Sequence, residues 1–341
     1  MERELTVDVQ NVTRRFGDVV ALSDLDLAIP KGAITCLLGP NGAGKTTAIR
    51  MITGALEPNV GTSRVFGMDP AGPDGEEVRR RCGVVSAKPS LYDRLNGWDN
   101  LRYAAELYGI GQGKVADKRI REAAAVFAIE SSLDQKVGGY STGMKTRLAL
   151  ARSILHEPDL LLLDEPTSGL DPESALAVLD LIRDMTSDGQ TVLMSTHLLL
   201  EAEGLADEIV VMQTGTNLKA GRPVDLTRNY WPTQQVRISS TMPEGLDELA
   251  SHDQVVEYAR EGDSAIIDME SHAAIPALVA ALSARNVPIS GVIPLSPSLE
   301  DLYFAIRREH GSVEGELPPP GGSSGRPARI EMAPASSRLA A

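Results

Sequence analysis

The chain has 341 residues, 42% hydrophobic and 23% charged, which is enough material for more than one domain and an ample core. Its formal charge of −14 argues against a nucleic-acid partner held through phosphate contacts, and two cysteines are too few for a disulfide framework. No charged-then-apolar leader opens it and no apolar stretch approaches the roughly 20 residues of a membrane helix, so any membrane role is expected to be peripheral.

From the N-terminus to about residue 226, short apolar runs alternate with helical patterns, which predicts an α/β layer architecture. Residues 33–38 read as a buried strand and residues 46–52 as the start of a helix. Between them stands Gly39-Pro40-Asn41-Gly42-Ala43-Gly44-Lys45-Thr46-Thr47, which fits the phosphate-cradling pattern G-x-x-x-x-G-K-[ST] without a gap. Glycines let successive backbone N–H groups converge on phosphate oxygens, Lys45 adds a point charge, and the Thr46 hydroxyl is placed to ligate Mg²⁺. The pattern predicts a nucleoside triphosphate at a helix N-terminus, whose dipole favours anions. Cys36 in the strand and Cys82 before a Gly-Val-Val run are expected to be buried thiols of a reducing compartment.

From Pro89 to Gly139 helix formers take over (Leu101, Ala104, Ala105, Leu107 and Tyr108, then Ile120, Ala123, Ala124 and Phe127), broken at Gly111-Gln112-Gly113. With the helical spacing of Leu148, Ala151, Ile154 and Leu155, this predicts a helical insertion over about 89–155. The run Leu160-Leu161-Leu162-Leu163-Asp164-Glu165 then reads as a buried strand ending in two carboxylates, at the edge where open α/β sheets bind ligands. Asp164 is placed to hold Mg²⁺ and its water, and Glu165 to orient and deprotonate the water that attacks the γ-phosphorus. Residues 191–195 and 208–213 complete the expected parallel strands.

A linker at Arg228-Asn229-Tyr230-Trp231-Pro232 precedes residues 235–308, where β-like runs (236–239, 255–258, 265–269 and 287–293) alternate with helical ones, predicting a small α+β domain. From Gly311 the chain carries Pro318-Pro319-Pro320-Gly321-Gly322-Ser323-Ser324-Gly325 and few large apolar residues. Such a composition does not offset its ordering entropy, so 311–341 is expected to be a disordered tail. No internal repeat is evident and there is one phosphate loop.

The motifs Tyr140-Ser141-Thr142-Gly143-Met144-Lys145, Leu160 to Glu165, Ser168-Gly169-Leu170-Asp171 and Ser195-Thr196-His197 resemble, in order and spacing, those of ATP-binding cassette (ABC) ATPases. The resemblance covers roughly residues 1–226, with Asp164-Glu165-Pro166-Thr167-Ser168-Gly169-Leu170-Asp171-Pro172 its most specific stretch. It implies a P-loop NTPase cassette that binds ATP with Mg²⁺ through Phe16, Gly39, Asn41, Gly42, Ala43, Gly44, Lys45, Thr46 and Thr47, with Asp164 as a second Mg²⁺ ligand. It implies Glu165, His197 and Lys45 as the catalytic set, His197 touching both the γ-phosphate and the general base. Ser141, Gly143 and Asp171 would meet the ATP of a second copy in a homodimer. Ser141 alone would pass for the cap of the helix that follows, and a core role for Phe16 remains open.

The chain departs from the family at Ala87, within Cys82-Gly83-Val84-Val85-Ser86-Ala87-Lys88-Pro89, where a glutamine is usual. Alanine can neither ligate Mg²⁺ nor hydrogen-bond a water through its side chain, so Ser86, Lys88 or a water is expected to substitute. Tyr140, Thr142 and Met144 stand where Leu, Gly and Gln are commoner. The segment Ser296-Pro297-Ser298-Leu299-Glu300-Asp301-Leu302-Tyr303 resembles the C-terminal segment of bacterial cassettes that export drugs, antibiotics and lipids, and reads equally as a capped helix start. The resemblance implies the ATPase subunit of an exporter, cytoplasmic and peripheral on the inner face of the membrane. Its partner would be a separate integral membrane permease docking near Leu91, Tyr92 and Leu95, with no nucleic acid expected. The alternative is a non-transport cassette acting as an ATP-gated clamp on nucleic acid or the ribosome. The intact Glu165 and His197 disfavour a third reading, a regulatory nucleotide binder.

Overall fold

The computed structural model describes residues 3–187 and 189–311 and divides the chain after Pro223. The first unit runs β1 (Leu5–Phe16), β2 (Val19–Pro30), β3 (Ile34–Leu38), α1 (Lys45–Ile52), β4 (Val60–Val65), α2 (Gly75–Arg80), β5 (Cys82–Val85), α3 (Gly97–Leu107), α4 (Lys114–Val126), α5 (Thr142–Ile154), β6 (Leu160–Asp164), α6 (Pro172–Ser187), β7 (Thr191–Thr196), α7 (Leu199–Ala202), β8 (Glu208–Gln213) and β9 (Thr216–Gly221).

Six strands form the central sheet in the order β5-β6-β7-β3-β8-β9, the first five parallel and β9 antiparallel on β8. Every residue of β3, β6 and β7 is buried, as expected where helices cover both faces of a parallel sheet. The register pairs Leu38 with Thr196 and Asp164 with Ser195. The phosphate loop, the Asp164-Glu165 pair and His197 therefore leave the sheet at one edge. That alignment is a consequence of parallel pairing: three strands of one direction must deliver their C-terminal residues together.

A second sheet, β2-β1-β4, is antiparallel. Alternating residues of β1 and β2 (Val7, Val9, Leu25, Leu27 and Ile29 among them) are buried in one cluster with Ile49, Met51 and Ile52 of α1. At about 1.5–3 kcal/mol per fully buried aliphatic side chain, this seam fixes the helix that begins at the phosphate loop.

Helices α3–α5 lie between β5 and β6. Asn96 caps α3 by accepting from the Asp99 N–H at 2.7 Å, and the buried Asn100 side chain pins the main chain of Tyr92 through both its N–H and its carbonyl. Tyr92 and Leu95 are exposed on this segment while Leu91 is half-buried. Behind it His156 stacks on Tyr108, with ring centroids 3.7 Å apart, and its Nε2 lies 3.1 Å from the Cys82 carbonyl while Nδ1 is buried without a hydrogen-bond partner. Burial pulls the imidazole below its ordinary pKa, since a second proton would put an unsatisfied N–H inside the protein. The unfolded chain therefore takes up this proton first. Its contribution is complete above the unfolded value of about 6.5 and is lost as pH falls below it. The urea midpoint is expected to drop between pH 7.5 and 5.5, and to drop less in His156→Phe, which keeps the stack. Equal drops would show that other groups set the dependence.

Cys36 and Cys82 are buried free thiols. Burial pushes the Cys82 thiol up to about 12, so neither is poised as a nucleophile.

The second unit carries α8 (Pro223–Tyr230), β10 (Gln234–Ser240), β11 (Glu257–Glu261), β12 (Ser264–Met269), α9 (Ile275–Ala284), β13 (Ile289–Leu295) and α10 (Leu299–Glu309), with an antiparallel sheet ordered β11-β12-β10-β13. Val236, Ile238, Ala265, Ile267, Met269, Leu278 and Leu282 form its core. Three places differ from the sequence expectation: Arg228–Tyr230, expected in a linker, end helix α8; the run at 287–293 starts later, as β13 at Ile289–Leu295; and the run at 255–258 gives way to β11 at Glu257–Glu261, because the two-residue turn Gly262-Asp263, with Gly262 at φ +62°, pairs Glu261 with Ser264 and sets the register. Ser298 and Asp301 make a reciprocal capping box that starts α10. Apart from Gly311, the tail expected at 311–341 lies outside the described residues.

Candidate active site

The loop between β3 and α1 is held by its neighbours. The Ala43 carbonyl accepts from the Gly215 N–H at 3.0 Å, and the Ala43 N–H donates to the Pro40 carbonyl at 3.1 Å. Two glycines are required by close approach. A Cβ at Gly39 would stand 2.4 Å from the Met212 carbonyl oxygen, and one at Gly44, where φ is +102°, would meet Ala21 and Leu22 at 2.9 Å. Lys45 is buried and donates from Nζ to the carbonyls of Gly39 and Pro40 at 2.7 and 3.2 Å. Burial pulls its ammonium below the usual lysine range, and the Glu165 carboxylate, 3.6 Å away, opposes that shift.

The strand ends supply the rest. Asp164 is buried; one oxygen accepts the Thr46 hydroxyl at 2.8 Å and the other the Ser195 hydroxyl at 2.6 Å. Glu165 follows in the left-handed region, φ +49°, with its N–H on the Ser195 carbonyl at 3.1 Å. A non-glycine residue there stores about 1–3 kcal/mol of strain, which the fixed turn sustains. His197 Nδ1 lies 3.3 Å from Glu165 Oε1, the same oxygen that faces Lys45.

Lys45, Thr46, Asp164, Glu165 and His197 thus form one contiguous cluster. Gly42, Asn41 and Thr46 are exposed around it, Thr47 is half-buried and Ala43 buried. The remaining candidates make no hydrogen bond or ion pair to these five. Ser141 is exposed at the N-cap of α5, accepting from the Met144 N–H at 3.2 Å; Gly143 lies against Leu170 and Ser174; and Asp171 accepts from the Ser174 N–H at 3.0 Å, which holds its carboxyl below the usual range. Phe16 is 45% exposed beside the Arg14 guanidinium, a surface position and not a core one.

The sequence motif includes Ser195 and Thr196 without a role for either, and Glu201 is not among the residues it singles out. Ser195 and Thr196 are polar residues inside a wholly buried strand, a signal that could have singled them out.

Ala87 and Glu165 both line a cavity of about 90 Å³ together with Thr142, Lys145 and Thr146. Ser86 donates its hydroxyl proton to the Lys88 carbonyl at 3.0 Å. Because this space can take a water beside Glu165, Ala87→Gln is expected to leave basal ATPase within about threefold, measured as phosphate release. A gain of tenfold or more, about 1.4 kcal/mol of barrier, would show that nothing in the native loop does the work of the amide.

A glycine-rich loop running from a buried strand into a helix, with a lysine at its end and an Asp-Glu pair at the terminus of β6, which β7 separates from β3, defines a P-loop nucleoside triphosphatase. The ABC transporter family model matches residues 22–168. Over 314 residues the chain is 32% identical to an uncharacterized ABC transporter ATP-binding protein, YdbJ, of Bacillus subtilis, covering 92% of this chain and 98% of that one. It is 36% identical over 220 residues to the Nod factor export ATP-binding protein I of Cupriavidus metallidurans, covering 64% of this chain and 72% of that protein. A dimeric ATP-binding cassette solved in a post-hydrolysis state with ADP and phosphate superposes with a TM-score of 0.58 at 25% identity, covering 63% of this chain and 98% of that one. The chain belongs to the ATP-binding subunits of ABC transporters and is an ATPase.

Proposed function

We propose that this chain is the ATPase of an exporter, in which two copies close over two ATP molecules and drive a separate membrane permease. The observation that carries the reading is the split of the site: hydrogen bonds and ion pairs join five residues at the sheet edge, while Ser141, Gly143 and Asp171 make no hydrogen bond or ion pair to any of the five. A single chain is half a site, and a second copy supplies the other half. The dimeric cassette and the export protein among its relatives support both parts of this reading.

In the closed pair, Glu165 takes a proton from water as the water oxygen attacks the γ-phosphorus and ADP leaves. His197 fixes Glu165 through Oε1, and Lys45 holds the β- and γ-phosphate oxygens. Thr46 and Asp164 offer the hard oxygen ligands that suit Mg²⁺, and among the described residues no cluster of three or more His, Cys, Asp or Glu could hold a metal alone. That matches an ion bound through one or two protein groups and the phosphates. When bound, Mg²⁺ neutralises charge on the phosphates.

The permease docks on the segment carrying Tyr92 and Leu95. Its neighbours Asp93 and Ser90 are tied to α5, through Lys145 at 2.8 Å and Arg152 at 2.6 Å, so a push there reaches the helix that Ser141 caps. No described helix is long and apolar enough to cross a membrane, and the proposed place is the inner face of the cell membrane. Affinity purification from detergent-solubilised membranes tests the reading. It is expected to recover one integral membrane protein that stimulates ATP hydrolysis, whereas recovery with ribosomes or nucleic acid alone would overturn it.

A further inference from the structure

Behind Glu165 and His197 lies a buried carboxylate. Glu201, on the single turn α7, is 8% exposed, and its two oxygens accept from two different elements. Oε1 takes the Thr167 hydroxyl at 2.5 Å and Oε2 the Thr196 hydroxyl at 2.7 Å. Thr167 and Thr196 are themselves buried, at 4% and 2% exposure. Thr167 lies two residues after Glu165, in the turn closed by the Ser168 N–H on the Glu165 carbonyl at 3.1 Å. Thr196 ends β7 immediately before His197, and its oxygen also accepts the Leu198 N–H at 3.0 Å.

Among the described residues no cation pairs with Glu201. A carboxylate removed from water without a counter-ion is costly, and two charge-assisted hydrogen bonds are what it receives in return. A leucine would fill the same space at less cost to stability, but it could not hold two hydroxyls. What the carboxylate does that an apolar residue cannot is join the turn carrying Glu165 to the strand end carrying His197.

We propose that Glu201 is a positioning residue that sets the 3.3 Å approach of His197 to Glu165 by tying Thr167 and Thr196 to one rigid acceptor. It touches no reacting atom and acts through the contact between His197 and Glu165. The inference rests on the roles of Glu165 and His197 proposed above.

The test compares ATP turnover and fluorescent-nucleotide binding in the full chain for Glu201→Ala, Thr167→Val and Thr196→Val, with Thr196→Ser as the conservative control and Glu165→Gln and His197→Ala as references. Misplacing a reacting group by about 1 Å costs up to about 10²-fold. Glu201→Ala and each valine variant are therefore expected to lower kcat by about 10–100-fold with KM for ATP nearly unchanged, and Thr196→Ser to restore it. In a His197→Ala background, Glu201→Ala should add little, because its route of action is already gone. An unchanged kcat, or a full and independent loss in the His197→Ala background, overturns the proposal. If Glu201→Ala does not fold, the two valine variants decide on the same criteria. Turnover surviving in Glu165→Gln and His197→Ala would instead refute the active-site assignment itself.

Discussion

Replacing Glu165 by glutamine is expected to lower kcat by about 10²–10⁴-fold, the range for losing a general base, or about 3–5 kcal/mol of barrier. The amide keeps the size of the side chain and can still accept from His197 but cannot take a proton from water. Glu165 Oε1 also lies 3.6 Å from the Lys45 ammonium, so the substitution removes a negative charge from beside the group that meets the phosphates. ATP affinity should therefore hold or rise while turnover stops, and the ATP-bound pair should accumulate. Phosphate release and nucleotide retention after gel filtration read the two halves of this expectation. Turnover within tenfold of the native protein would remove Glu165 from the base position.

Lys45→Ala should act on binding first. The ammonium is the charge that the phosphate loop encloses, and the carbonyls of Gly39 and Pro40 hold it at 2.7 and 3.2 Å. Hydrogen bonds to a charged group are worth about 1.5–3 kcal/mol, so ATP affinity should weaken by about 10–100-fold in a fluorescent-nucleotide titration. The loss should be larger than that of Asn41→Ala, whose exposed side chain brings no charge. Lys45→Arg should not rescue it, because a buried position shaped for a compact ammonium does not take the planar guanidinium fork. Unchanged affinity in Lys45→Ala would contradict the phosphate-cradle reading.

Much of this site was legible in the sequence because its parts obey strong local rules. The phosphate loop needs glycines at fixed spacing, and β3, β6 and β8 are apolar runs that only a doubly covered sheet accepts. The antiparallel sheet of β1, β2 and β4 escaped because its strands bury one face. Asp8, Gln10 and Asp26 interrupt the apolar positions, and the positive φ of Asn11 and Asp24 breaks the alternation that would have marked them. Glu201 was out of reach for a different reason. A glutamate four residues past a histidine reads as a solvated helix face, and only the approach of Thr167, 34 positions away in sequence, makes it a buried tie.

The central claim is that ATP completes its site only when Ser141 of a second copy arrives. Ser141 caps α5, so its exposed N-terminus can present N–H groups to an anion outside its own chain. Light scattering of Glu165→Gln with ATP and Mg²⁺ tests this directly, alone and combined with Ser141→Arg. A species of about twice the 36.4 kDa chain mass is expected for the single variant and a monomer for the double variant, with ATP still bound to both. A single variant that stays monomeric with ATP bound, or a double variant that still dimerises, would contradict it.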